Sequence, residues 1–251
     1  MRTEEPMPRD FCSLVDGSTQ SYLLLAPPNR NTHAVVVALH GHGAHQEQFM
    51  TPGIYAGAFS AIMQVVSERD ALYVTPEYRG NSWMNMEAEA DVRQIIHALR
   101  SEYSISNVLL IGGSMGATSA LIYASRWPAD INAVLAACPA TDMTTLYHAL
   151  IGGVWNDIAN TISERYQGSP PANPDEYDKR SSYLHAARLQ MPVSIIHGDE
   201  DALIAVEHSR RLVTRMRELE LPVCYHEIPG GDHDSPITML ADELGRILDT
   251  L

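Results

Sequence analysis

The sequence contains almost no lysine, and its acidic residues outnumber its basic ones. Lys179 is the only lysine among 17 basic residues, against 31 acidic residues, and the formal net charge is −14. Such a charge, with no basic stripe to offset it, repels phosphate backbones. We therefore exclude nucleic acid as a partner. The charge selects no other partner, because an acidic isoelectric point is common among enzymes.

Cysteines and long apolar runs are scarce as well. The three cysteines, Cys12, Cys138 and Cys224, are odd in number and far apart, which argues against a disulfide framework and against a CxxC metal or redox site. No segment approaches the ~18 consecutive apolar residues that span a bilayer. No apolar run follows the amino terminus as it would in a secretory signal. We therefore expect a cytoplasmic protein without a membrane partner.

The composition that remains is that of a globular protein. The 251 residues are 45% hydrophobic, which suits one α/β domain spanning 1–251. Apolar patterning predicts strands at 11–15, 22–25, 34–39, 71–75, 108–111, 131–137, 193–196 and 222–228. It predicts helices at 87–103, 115–127, 206–219 and 237–248. This alternation predicts a mostly parallel sheet with helices on both faces, and the aromatic stretch 141–188 predicts a small lid insertion.

A nucleophile motif follows the strand predicted at 108–111. The segment Gly112-Gly113-Ser114-Met115-Gly116 has the pattern G-x-S-x-G between a strand and a helix. A serine on such a tight turn adopts strained backbone angles that expose its Oγ, and the flanking positions must be small. The alternative is a glycine-rich turn with an ordinary serine. The motif predicts Ser114 as a nucleophile.

A serine hydroxyl needs a base, and the base needs a carboxylate that orients it. His233 lies on a glycine-rich loop after the last predicted strand and is the candidate base. Asp199 and Asp201 follow the strand before it; Asp201 is farther into the loop and is the favoured acid, while Asp199 could stabilise the turn. Glu200 is expected to face solvent. Asp234 is expected to cap the next helix.

The loop after the strand at 34–39 is rich in histidine. Acyl transfer needs two N–H donors for the oxyanion, and we predict the backbone N–H groups of His42 and Met115. The less favoured alternative is a metal-dependent hydrolase that uses His40, His42 and His45, a spacing similar to the H-x-H-x-D-H zinc cluster. Ala44 stands where that pattern has aspartate. We therefore expect no metal and no other cofactor.

Taken together, these residues resemble the α/β-hydrolase superfamily over nearly the whole chain. Within it, the chain is similar to prolyl-oligopeptidase-type and dienelactone-hydrolase-type esterases. The likeness rests on Pro76-Glu77-Tyr78-Arg79-Gly80-Asn81-Ser82-Trp83, Glu89-Ala90-Asp91-Val92, the elbow at 112–116, and His197-Gly198 with Asp201 in an H-G-x-x-D pattern. The resemblance implies an α/β-hydrolase fold and a metal-independent triad of Ser114, His233 and Asp201.

Two departures from these families sharpen the expected function. The chain has no room for the β-propeller of oligopeptidases, and the elbow carries serine where dienelactone hydrolases carry cysteine. We therefore expect a carboxylesterase that hydrolyses small to medium esters through an acyl-enzyme. The alternative is a serine peptidase or another acyl hydrolase, such as a thioesterase or deacetylase. A non-catalytic binding protein is the third possibility, against which the complete triad argues.

The substrate pocket is harder to predict than the triad. Trp83 and Met84 follow a strand end, and Tyr147 and Trp155 lie in the expected lid. We predict that these four side chains contact the substrate. Aromatic side chains in a lid pack against one another about as often as they contact a substrate, so packing is the alternative.

Overall fold

A computed structural model describes residues 5–27, 32–50 and 55–251 of the chain. The strands are β1 (Met7–Cys12), β2 (Thr19–Leu25), β3 (Ala34–Leu39), β4 (Leu72–Pro76), β5 (Asn107–Gly113), β6 (Ala133–Ala137), β7 (Val193–Gly198) and β8 (Val223–Ile228). The helices are α1 (Ala56–Glu68), α2 (Met86–Tyr103), α3 (Met115–Arg126), α4 (Met143–Leu150), α5 (Asn156–Arg165), α6 (Pro174–Lys179), α7 (Glu207–Glu218) and α8 (Leu240–Leu248). Short 3-10 helices lie at Pro128–Asp130, Ala186–Arg188 and Ser235–Met239.

The strands form one eight-stranded sheet in the order β1-β2-β4-β3-β5-β6-β7-β8. The pairs β1–β2 and β2–β4 are antiparallel, and all other neighbours are parallel. Helices α2, α3 and α7 contribute to the apolar core on one face, and α1 and α8 to the core on the other. The predicted α/β-hydrolase fold, with its mostly parallel sheet and helices on both faces, is confirmed.

Strand β3 is apolar at every position because both of its faces are buried. Val35 and Val37 belong to the core on one face of the sheet, whereas Val36 and Ala38 belong to the core on the other. Because successive side chains of a strand point to opposite faces, a strand covered on both sides must be apolar at every position. The strand has the bounds that the sequence predicts.

Three local features differ from the sequence prediction. The first hairpin strand lies earlier than 11–15, because residues 13–17 form its turn, with the N–H of Gly17 donating to the carbonyl of Ser13. The last helix begins at Leu240 after a 3-10 helix. Helix α1 has no counterpart in the prediction. Its first turn has no side-chain cap and contains Gly57, so the usual helix-start signals are weak.

The carboxyl ends of the parallel strands face the segment 141–188. This segment forms α4, α5 and α6 between β6 and β7. Leu146 and Leu150 of α4 and Ile158 of α5 line the same cavity as Ser114, so the segment borders the predicted site. None of the helices in the described ranges is both long and apolar enough to cross a bilayer.

Candidate active site

Ser114 lies on a sharp turn between β5 and α3. Its backbone angles are φ 56° and ψ −121°, in a region that non-glycine residues rarely occupy. Its N–H donates to the carbonyl of Ala137 on the neighbouring strand, and its carbonyl accepts from the N–H and the hydroxyl of Thr118. These bonds hold the turn, and Ser114 lines the cavity at the end of the sheet.

The glycines on either side of Ser114 are required by close backbone approach. A Cβ on Gly112 would lie 2.4 Å from the carbonyl carbon of Gly116, and a Cβ on Gly116 would lie 1.9 Å from the carbonyl oxygen of Leu39. Both obstacles are backbone atoms, so no side chain can turn away to make room. The spacing G-x-S-x-G therefore follows from the packing of α3 against β3 and β5.

We expect Gly116→Ala to destabilise the fold severely, by about 3 kcal/mol or more, because overpacking against backbone forces the helix and the sheet apart. The urea-unfolding midpoint measures this effect. Gly57→Ala is the matched control, since its Cβ would meet nothing within 4 Å in a helix; it should be neutral or stabilise by up to about 1 kcal/mol. Equal midpoints for the two variants would contradict this account of the turn.

His233 lies on the loop after β8 and lines the same cavity as Ser114. Its Nδ1 is 2.7 Å from Oδ2 of Asp201. An ionised carboxylate only accepts hydrogen bonds, so Nδ1 carries the proton and donates. In the neutral imidazole this leaves Nε2 as the proton acceptor, which is the tautomer that a general base requires.

Asp201 is buried and held by several donors. Its Oδ1 accepts from the N–H groups of Leu203 and Ile204, both at 2.9 Å, and its side chain has no exposed surface. Burial by itself would raise the pKa of this carboxyl. The hydrogen bonds from His197 and His233 and from the Ile204 N–H outweigh burial and lower the pKa well below its ordinary value. Asp201 therefore stays ionised beside His233.

His197 is a further partner of Asp201. Its Nε2 lies 3.1 Å from Oδ2 of Asp201 and 2.9 Å from the carbonyl oxygen of Ile204, both of which only accept, so Nε2 carries a proton. Its Nδ1 is 2.7 Å from the hydroxyl of Ser209. The sequence signalled His197 through the H-G-x-x-D pattern alone. It gave no signal for Ser209, which lies on α7.

The other acids near these loops have different roles. Asp199 accepts from the Gly230 N–H at 2.6 Å, and Glu200 is exposed, in line with both expectations. The expected cap at Asp234 is wrong. That residue occupies the N-cap position without a side-chain cap bond, whereas the carboxylate of Asp232 accepts from the N–H and hydroxyl of Ser235. Asp234 instead lines the rim of the cavity.

Two backbone N–H groups near Ser114 have no intramolecular acceptor within the described ranges. In the loop after β3, the N–H groups of Gly41, Gly43 and Ala44 all donate within the chain, which leaves that of His42. Met115 is the first residue of α3, where N–H groups lack intrahelical partners. Both positions are those predicted for the oxyanion donors.

The three histidines of the alternative metal site do not converge. Each ring nitrogen of His40 lies 2.9 Å from a backbone carbonyl oxygen, of Gly41 or of Glu77. His45 contacts the Glu77 carboxylate, and Nδ1 of His42 accepts from the indole of Trp83. A metal ligand needs a lone pair aimed at a shared point, and these nitrogens are committed to different partners.

The cavity measures about 390 Å³ and is mainly apolar. Of the four predicted pocket residues, Trp83 and Trp155 line it. Met84 and Tyr147 do not, and these two predictions are wrong. Met84 is fully buried beneath the strand end, with φ 54°, and Tyr147 packs edge-on against Tyr177. The remaining walls are Gly41, His42, Gln48, Phe49, Tyr55, Phe59, Gly113, Ala137, Cys138, Leu146, Leu150, Asp157, Ile158, Leu203, Ile204, Asp234, Ile237 and Leu240.

Cys138 is a cavity residue that the sequence did not single out. It follows β6 with φ 45°, and its thiol donates to the carbonyl oxygen of His233 at 3.3 Å. Burial by itself would lower the pKa of His233. The hydrogen bond to the Asp201 carboxylate, with the neighbouring Cys138 thiol, raises the pKa above its ordinary value of 6.5 instead.

The raised pKa sets the sign of a pH effect. A protonated His233 cannot accept a proton, and a raised pKa keeps it protonated to higher pH. If His233 is the base, kcat/KM should fall as the pH falls through a pKa above 6.5. A pH–rate profile for a non-ionising ester measures this limb. An acidic limb at or below 6.5, with the protein still folded, would contradict the raised pKa, and a profile without an acidic limb would contradict the assignment of His233 as the base.

Comparison with known proteins shows the family of the chain. The family model of the prolyl oligopeptidase family matches residues 57–244. The monoacylglycerol lipase of Mycolicibacterium smegmatis is 22% identical over 80% of this chain and 84% of its own. The uncharacterized peptidase YtmA of Bacillus subtilis is 22% identical over 85% of this chain and 80% of its own.

Solved structures share the fold at lower identity. The fluorophosphonate-binding serine hydrolase F of Staphylococcus aureus superposes with a TM-score of 0.73 at 13% identity and covers 98% of both chains. The acylaminoacyl peptidase of Pyrococcus horikoshii superposes with a TM-score of 0.74 at 18% identity, and the match covers all of this chain but 41% of the peptidase. The chain is a serine hydrolase with the α/β-hydrolase fold, and it belongs to the prolyl oligopeptidase family.

Proposed function

We propose that the chain is a carboxylesterase in which Ser114, His233 and Asp201 form the catalytic triad. One observation carries the proposal: the buried Asp201 carboxylate fixes the tautomer of His233 on the wall of the cavity that Ser114 also lines. A serine on a strained strand-to-helix turn beside an oriented imidazole is the arrangement that acyl transfer requires.

In the proposed reaction, Oγ of Ser114 attacks the ester carbonyl carbon while Nε2 of His233 takes its proton. The carboxylate of Asp201 stabilises the imidazolium that forms. The N–H groups of His42 and Met115 bind the oxyanion, and each such donor is worth about 3–4 kcal/mol. His233 then protonates the leaving alcohol. Water repeats the sequence on the acyl-enzyme and releases the acid.

The walls of the cavity favour an apolar acyl group. Phe49 and Phe59 lie on one side, and Leu146, Leu150 and Ile158 belong to the segment that borders it. Burying methylene groups against such walls stabilises binding by about 0.8 kcal/mol each. We therefore propose small to medium esters as substrates, with kcat/KM rising along the acyl series until the volume of about 390 Å³ is filled.

A serine peptidase is the second candidate, and the rim of the cavity favours it. Asp157 and Asp234 line this rim. Two carboxylates there would attract a protonated amino group, such as that of an aminoacyl substrate. The name of the Bacillus subtilis relative and the family itself point the same way.

A matched substrate set separates the two functions. We expect high kcat/KM for p-nitrophenyl esters of increasing acyl length and full inhibition by a serine-directed phosphonate. Alanyl and propionyl p-nitroanilides differ only in the α-amino group, and we expect equally poor turnover of both. Efficient hydrolysis of the alanyl anilide alone would overturn the esterase proposal. Asp157→Asn is the check on that outcome, because it would weaken an amine site while leaving ester hydrolysis unchanged.

A further inference from the structure

A cluster of metal-ligating side chains lies outside the proposed catalytic site. Cys224 and His226 are alternate residues of β8, so their side chains share one face of this edge strand, and Glu243 of α8 packs against that face. Sγ of Cys224 is 3.3 Å from Nε2 of His226, and that Nε2 is 3.4 Å from Oε2 of Glu243. All three atoms lie within 4.8 Å of one another.

The two separations from Nε2 of His226 match the ligand spacing of a tetrahedral zinc ion, and the third pair of ligand atoms lies within 4.8 Å. Zinc binds thiolate sulfur at about 2.3 Å and nitrogen or oxygen at about 2.0–2.2 Å, which places neighbouring ligand atoms about 3.3–3.6 Å apart. A site made of thiolate, imidazole and carboxylate also binds zinc in preference to magnesium or calcium. Three side chains leave the fourth position of the ion for water.

The carboxylate of Glu243 is held in an orientation that suits a metal ligand. Its Oε1 accepts a hydrogen bond from the hydroxyl of Ser194 on β7 at 2.6 Å, which fixes the carboxylate plane. Its Oε2 is buried and lies 3.4 Å from Nε2 of His226. A hydrogen bond to the other oxygen of a ligating carboxylate is the usual support of a metal ligand.

One positive charge competes for this oxygen. The guanidinium of Arg246, one turn along α8, forms an ion pair with Oε2 of Glu243. The Arg246 side chain is 59% exposed and can turn into solvent at little cost. The net charge of −14 for the whole chain favours a cation in its place.

We propose that Cys224, His226 and Glu243 form a zinc-binding site on the outer edge of the sheet. On binding, the Cys224 thiol loses its proton to solvent and the thiolate, the imidazole and the carboxylate coordinate the ion. Such an ion joins β8 to α8. These two elements flank the loop that carries His233, so the ion links the segments before and after this loop.

Zinc titration of the full chain tests the proposal. The protein is treated with a chelator, desalted, and titrated with zinc chloride in competition with a chromogenic chelator. We expect one ion per chain with a Kd of about 1 μM or tighter. Cys224→Ala should weaken binding at least about tenfold, because a thiolate is lost. Cys224 is exposed, so this variant keeps the packing of the core.

Three variants make the result specific. Cys12→Ala removes another exposed thiol, one that contacts backbone carbonyls alone, and should leave the Kd unchanged. Cys138→Ala should leave it unchanged too, although Cys138, Asp201 and His233 form the other cluster of this kind in the described ranges. Arg246→Gln should tighten binding roughly two- to fivefold, because it removes the competing cation.

Two readouts that do not depend on activity complete the test. Cobalt should give a thiolate-to-metal charge-transfer band that Cys224→Ala abolishes. At equal concentration, zinc should raise the Tm of the parent protein and of Cys12→Ala more than that of Cys224→Ala. Absence of binding at about 100 μM zinc would overturn the proposal. Equal Kd values for the parent protein and Cys224→Ala, or loss of binding in Cys138→Ala, would overturn it as well.

Discussion

Replacing Ser114 with alanine should lower kcat for a p-nitrophenyl ester by about 10⁶-fold, because the acyl-enzyme can no longer form. Ser114 is the residue that the strained turn between β5 and α3 presents to the cavity, and it is the only serine of the described ranges that lines this cavity. The remaining hydrolysis would come from water attack assisted by the oxyanion donors. Single-turnover kinetics should show no burst of p-nitrophenol.

Ser125→Ala is the matched control for this loss. Ser125 is a buried serine of α3, about three turns from the cavity end of the helix, and its hydroxyl donates to the Ile122 carbonyl at 2.8 Å. This variant should keep kcat within about twofold of the parent value, since its effect is confined to stability. Turnover by Ser114→Ala close to that of Ser125→Ala would rule out Ser114 as the nucleophile.

Asp201→Asn should lower kcat by about 10⁴-fold with little change in structure. The carboxylate of Asp201 requires a proton on Nδ1 of His233, whereas an amide can present its own N–H there and favour the other tautomer. Nε2 would then be a donor and could not accept the proton of Ser114. The imidazolium formed during attack would also lose its ionic partner. The comparison of kcat, with circular dichroism as a check on folding, measures the effect.

Asp199→Asn is the matched control for Asp201→Asn. It shows whether the loss of any acid in this loop lowers kcat. Asp199 accepts one backbone hydrogen bond, from the Gly230 N–H, and an asparagine oxygen can accept the same bond. Its kcat should stay within a few-fold of the parent value. If Asp199→Asn were the crippling change and Asp201→Asn the mild one, the assignment of the acid would be reversed.

Elements with an uninterrupted apolar pattern, of strand or helix period, are the ones that the sequence predicts best. Strand β3 has the predicted bounds because every position must be apolar, and the helix predicted at 87–103 differs by one residue from α2. Helix α1 was missed because Phe59, Ile62 and Val66 form its apolar stripe among small residues, without a capping side chain. The capping signal that marks the start of a helix is absent there, and Gly57 weakens the first turn.

In the candidate site, too, some positions can be predicted from the sequence and others cannot. Ser114 stands in a motif imposed by backbone packing, and the order of the strand ends places His233 in the same cavity and Asp201 against His233, so these three positions follow from sequence. The direction in which a side chain points does not follow from the sequence. Met84 follows a strand end as predicted, but its φ of 54° turns the chain, and its side chain packs into the core. Neighbours from distant segments, such as Ser209 beside His197, depend on helix packing that no local pattern encodes.

Mass spectrometry after treatment with a serine-directed phosphonate tests the central proposal most directly. The proposal predicts one adduct per chain, located on Ser114 in the peptide that contains Gly112 and Gly116, with loss of esterase activity in proportion to labelling. Ser114→Ala should take up no label, and Asp201→Asn should label much more slowly than the parent chain. An adduct on another residue, or full esterase activity in a chain labelled on Ser114, would contradict the proposal.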